Sequence, residues 1–189
     1  MFNVILDDPP KSYKGYALRT DFRQGLKFFR NVGDDKMEET QKAKNIILCL
    51  FGAFHYGLFK DEQTIKDTWQ FINWYISGGK EEQEDIGGKR LFDFNIDHGR
   101  LYAAFLQVYG IDLRNTDLHW WIFLELFASL PDSTKLSSVI EIRNKEIPKK
   151  ADKKYRAELL RLKRAFAIGD YRKDQESRMD SFVKGFFKG

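Results

Sequence analysis

The sequence predicts a mainly α fold, a helical bundle of about six to seven helices with a small N-terminal β-hairpin. Three observations predict it. Apolar residues recur at helical spacing through most of the chain, as Ile65, Trp69, Ile72 and Ile76 do. Capping residues and Gly or Pro stops bracket those stretches, as Asp61 and Gly78-Gly79 bracket this one. Strand-like stretches separated by turn residues occur only near the start.

The two strands of the hairpin are read at Phe2 to Leu6 and Tyr13 to Leu18, around a turn at Asp7-Asp8-Pro9-Pro10. Thr20 and Asp21 can cap a first helix through Phe28-Phe29 that stops near Gly33. A second runs from about Met37 to Ala53, and Asp61 caps a third that ends at Gly78-Gly79. Lys80 to Arg90 is charged and without period, a loop. A fourth helix spans Asp97 to Tyr109 and closes at Gly110. Thr116 or Asp117 caps the fifth, Leu118 to Leu130, whose apolar residues point in every direction and so call for cover on all sides. A sixth covers Thr134 to Arg143, and a basic seventh runs near Ala151 to Ala167 with Leu159, Leu162 and Phe166 as its apolar stripe. Ile47, Leu50, Trp69, Ile72, Phe105, Trp121 and Leu124 are expected to share one core. Residues 1–168 read as a single domain, and residues 169–189 as a polar, basic, flexible tail.

A chain of 189 residues can hide roughly 70% of its unfolded surface and needs no disulfide or metal to fold. Its one cysteine, Cys49, excludes an intrachain disulfide and suits a reducing cytoplasm. The start of the chain lacks the basic and apolar regions of a signal peptide. The longest uncharged run, Asn45 to Phe59, falls short of the ~20 residues that span a bilayer. A soluble intracellular protein is expected, with no membrane partner.

Residues that could do chemistry do not assemble into a recognisable centre. Asp97-His98-Gly99-Arg100 holds acid–base ingredients, but neighbours in a helix do not share a face, and Asp97 suits an N-cap. His55, His98 and His119 have no metal-ligand spacing with one another or with Cys49. Gly78-Gly79-Lys80 and Gly87-Gly88-Lys89 lack the spacing and the hydroxyl of a phosphate loop. The expectation is a protein that is not an enzyme and holds neither metal nor cofactor.

Charge is the stronger lead. The net charge of +4 conceals 15 Lys and Arg against 7 Asp and Glu from Arg143 onward. Arg156, Arg161, Lys163 and Arg164 on the basic helix are the candidate partner-binding residues, with Trp120 of the aromatic helix added to them. Such a face could neutralise phosphates, meet an acidic protein, or be a solvated helix face beside an apolar stripe, with Glu158 interrupting the charge.

Several motifs, taken in order, resemble the bacteriophage gene-product-fifteen family. They are Leu6-Asp7-Asp8-Pro9, Thr20-Asp21-Phe22-Arg23 and Phe71 to Lys80. The most specific block runs from Tyr102-Ala103-Ala104-Phe105 through Tyr109-Gly110-Ile111-Asp112-Leu113 to Leu118-His119-Trp120-Trp121 and Phe123. Thr134 and Arg143 also fall where that family has similar residues, whereas Gly79 stands where its pattern has Cys. The resemblance implies a product of the tail-morphogenesis region of long-tailed phages and prophages, encoded near the tape-measure gene. The implied role is a non-enzymatic tail assembly chaperone in the host bacterial cytoplasm, binding the tape-measure protein or another tail protein. A homo-oligomer is compatible with it. The alternatives are a structural tail or connector protein of the virion and a nucleic-acid-binding accessory protein.

Overall fold

The computed structural model describes residues 2–80, 91–148, 150 and 152–168. They contain one hairpin, of strands β1 (Ser12–Tyr13) and β2 (Tyr16–Ala17), and seven α-helices. The helices are α1 (Phe22–Val32), α2 (Glu39–Phe51), α3 (Glu62–Ile76), α4 (His98–Tyr109), α5 (Trp120–Ala128), α6 (Lys135–Asn144) and α7 (Lys153–Ala165). The charged loop after Lys80 and the tail 169–189 lie outside the described residues.

The hairpin is shorter than expected and sits wholly downstream of the prolines. Ser12 pairs with Ala17 and Tyr13 with Tyr16. Lys14 and Gly15 between them have φ of 47° and 84°, the left-handed pair that a two-residue turn needs to match strand twist. Phe2 to Leu6 is a turn, because Asn3 satisfies the backbone locally: its Oδ1 accepts from the N–H groups of Ile5 and Leu6 at 3.0 and 3.2 Å.

Helix starts follow the capping residues closely. The Asp21 carboxylate accepts from Arg23 N–H at 2.9 Å, and Asp61 with Thr64 forms a reciprocal capping box. Thr134 accepts from Ser137 N–H, and Asp152 from the N–H groups of Lys154 and Tyr155. The start of α5 departs from this pattern. The imidazole of His119, rather than Thr116 or Asp117, accepts from Trp121 N–H at 3.0 Å.

The described residues divide into two compact units, one of residues 2–80 and 117–128, the other of residues 91–116, 129–148, 150 and 152–168. In the first, α1 packs on α2 and on α5. Its core includes Phe22, Ile47, Leu50, Trp69, Ile72, Trp120, Trp121 and Phe123. In the second, α4 packs on α6 and α6 on α7, around Leu101, Phe105, Leu136, Val139 and Leu159. Phe105 therefore belongs to the second core. Helix α5 is less enclosed than its composition suggested: only Trp120, Trp121 and Phe123 are buried, and Ile122, Leu124, Leu126 and Phe127 remain half-buried.

Candidate partner-binding surface

Three of the sequence motifs meet in the first unit. Phe22 N–H donates to Leu118 O and Trp120 N–H to Thr20 O, both at 2.8 Å, so the start of α1 and the start of α5 pair as a short bridge. The indoles of Trp120 and Trp121 then donate to Ile76 O at 3.0 Å and Tyr75 O at 2.7 Å, at the end of α3. Those carbonyls lie in the last turn of α3, where acceptors lack intrahelical partners. Trp120 stacks on Phe123, and its ring lies so close to Gly25 that no Cβ fits between α1 and α5. At Gly79, φ is 76° and a Cβ would come within 2.6 Å of the Trp121 ring. A cysteine there would be strained and crowded, which accounts for the glycine.

Trp120 is consequently a correction. It is fully buried, with its indole N–H satisfied internally, and it presents no side-chain surface to a partner.

The second unit carries the basic helix. A buried ion pair stands behind it: Arg143 on α6 donates to both carboxylate oxygens of Asp97, at 2.7 and 3.0 Å. Arg100 adds a third bond at 2.8 Å, and Asp93 N–H a fourth at 3.2 Å. Burial alone would push the Asp97 carboxyl up. The Arg143 and Asp93 hydrogen bonds, with the charges of Arg143 and Arg100, outweigh it and hold the group below the usual carboxylate range. Asp97 occupies the N-cap position of α4 without capping it; its oxygens are spent on the guanidinium groups.

The same Arg143 fastens the end of α7. Its Nε donates to Phe166 O at 2.6 Å, while Lys163 Nζ returns a bond to Arg143 O at 2.9 Å. Phe166 also lies under the cations of Arg100 and Lys135. Leu159 is the buried anchor of α7, with Leu162 and Phe166 half-buried beside it.

The four basic candidates are thus unequal. Lys163 is half-buried and bonded to α6. Arg161 is exposed but pairs with Glu158 at 2.6 Å; the pairing raises its own pKa and lowers that of Glu158. Arg156 and Arg164 face solvent, as do Lys153 and Lys154. At 3.6 residues per turn, Lys153, Arg156 and Arg164 share one side of α7, away from the apolar stripe. Sequence reasoning missed the Asp97–Arg143 clamp that supports this face. Its two partners are 46 residues apart, beyond any local spacing rule.

Among the described residues no three His, Cys, Asp or Glu side chains converge to hold a metal, and no helix is long and apolar enough to cross a membrane. What defines the protein is two small helical units, the first held internally by indole-to-backbone bonds and the second by guanidinium-to-carboxylate bonds, with a cationic helix displayed on the second. The family model described as bacteriophage Gp15 protein matches residues 11–168, and the chain belongs to that family of bacteriophage proteins. The Leu6 to Pro9 motif lies outside the match, whereas Thr20 to Arg23, the α3 end, the α4–α5 block, Thr134 and Arg143 lie within it. No curated protein and no solved structure matches the chain.

Proposed function

We propose that this chain is a non-enzymatic phage morphogenesis protein, a tail assembly chaperone that works in the host cytoplasm by holding the tape-measure protein while the tail tube polymerises. Family membership supports the phage setting. The observation that carries the contact role is the construction of α7. One side is fastened by Leu159, Lys163 and the Arg143–Asp97 clamp; the other presents Lys153, Arg156 and Arg164 to solvent. Charge held on a rigid support steers an acidic partner and sets its orientation, while apolar burial supplies most of the affinity.

A tape-measure protein is a long helical chain whose apolar stripes would aggregate unless covered during assembly. The half-buried apolar residues of α5 offer contact area of the right kind. Mass spectrometry of purified virions tests the assignment. A chaperone leaves the finished particle, so the chain should be present in infected cells and absent from virions. Stoichiometric recovery from virions would make it a structural tail or connector protein instead.

A further inference from the structure

The first unit has a polar cleft that the proposed client surface does not use. It holds about 470 Å³ along α1 and α2, and its lining includes Arg19, Gln24, Lys27, Arg30, Asp34 and Cys49. Three cations meet a single carboxylate there. Arg19, Lys27 and Arg30 are exposed, and none of the three makes an ion pair among the described residues.

The walls are already organised. Asn45 Nδ2 donates to Asn31 Oδ1 at 3.1 Å, Asn31 Nδ2 to Lys27 O at 2.8 Å, and Gln41 Nε2 to Asn45 Oδ1 at 2.9 Å. Gln24 is the exception. It is only 7% exposed, it lines the cleft, and its amide oxygen has no hydrogen-bond partner. A buried amide oxygen left unpaired costs free energy unless something supplies the missing bond.

We propose that this cleft binds an acidic peptide segment, whose carboxylates meet Arg19, Lys27 and Arg30 while a main-chain amide pairs with Gln24. The lining selects among anions. A free carboxylate brings acceptors only and would leave the Gln24 oxygen unpaired. A peptide bond brings an N–H donor, which is what the Gln24 oxygen lacks. A nucleotide also carries donors, but no aromatic ring lines the cleft to stack its base. The volume lies within the range of ligand pockets and exceeds what a lone ion fills. Asp34 is the one negative group in the lining and would disfavour a carboxylate beside it.

Cys49, the only cysteine of the chain, reports on occupancy. Burial pushes its thiol pKa up against the charges of Lys27 and Arg19, so it reacts slowly but measurably with a neutral maleimide. The full-length protein is labelled with N-ethylmaleimide while a capped tetrapeptide of alternating Glu and Gly is titrated in. The acidic peptide should slow labelling saturably. The double substitution Lys27→Glu and Arg30→Glu should weaken that protection at least about tenfold, the scale of one lost charge-assisted hydrogen bond. Gln24→Met, which keeps the length and removes the amide, should weaken protection without lowering the melting temperature. Reversing Arg156 and Arg164 on α7 should leave protection intact, which separates this site from the client surface. Absence of saturable protection would overturn the proposal. So would protection that survives both cleft variants, or equal protection by a Lys–Gly tetrapeptide or by adenosine monophosphate.

Discussion

His119 carries more of the local structure than its neighbours suggest. Its Nδ1 accepts from Trp121 N–H, so the ring proton sits on Nε2, which donates to Pro10 O at 3.2 Å. Protonating the ring breaks the first bond and places a cation at a helix N-terminus, where the dipole opposes it. Burial lowers the His119 pKa below 6.5, more than the Pro10 bond raises it. A depressed value means that neutral His119 contributes stability fully above pH about 6.5 and loses it as pH falls through the folded pKa. The melting temperature should therefore drop as pH falls below about 6.5, and His119→Asn, which can cap without titrating, should flatten that drop. Identical pH profiles for the two proteins would remove His119 as the titrating group. Next to it, Trp121→Ala should cost about 3–5 kcal/mol, because the ring is buried against Phe2, Trp74 and Tyr75 and its N–H is bonded. Gly79→Cys should destabilise by about 1–3 kcal/mol through crowding of the same ring and the positive φ. Urea unfolding measures both, and a stability equal to wild type would place Trp121 outside the core.

At the scale of elements, α7 depends on a bond network rather than on a wide apolar face. Asp97→Ala would leave Arg143 as an uncompensated buried charge and should cost about 3–5 kcal/mol. It should also loosen the end of α7, seen as faster amide exchange around Lys163, because Arg143 holds Phe166 O and Lys163 holds Arg143 O. Unchanged exchange there would disconnect the clamp from the helix. The starts of α1 and α3 were legible, since Asp21 and Asp61 act as caps through chemistry that is local. The hairpin was misplaced for the same local reason in reverse. Pro9-Pro10 is a strong turn signal, but Lys14-Gly15 closes a tighter hairpin, and Asn3 turns the segment that had read as its first strand. The clamp could not be read at all, because nothing in sequence links Asp97 to Arg143.

At the scale of the molecule, the motifs that carry the family resemblance have a structural meaning. Thr20 to Arg23, Tyr75-Ile76 and Leu118 to Trp121 are far apart in sequence and close on one another through backbone and indole bonds. Their chemistry is that of a joint. The resemblance thus located a structural nexus, while the proposed contact surfaces lie elsewhere, on α7 and in the α1–α2 cleft. The basic face was visible as a run of charge, but charge alone did not reveal that Lys163 and Arg161 are engaged and that Arg156 and Arg164 are presented. The cleft was invisible in sequence because Arg19 joins Lys27 and Arg30 only when α2 packs on α1. The most direct measurement is the affinity of the purified protein for the tape-measure protein of the same phage, compared with an Arg156→Glu, Arg164→Glu variant. A docking surface on α7 requires tight binding by the wild type and a loss of at least about tenfold in the variant, with the melting temperature unchanged because exposed charges contribute little to folding. Equal affinity of the two proteins, or no binding by either, would contradict it.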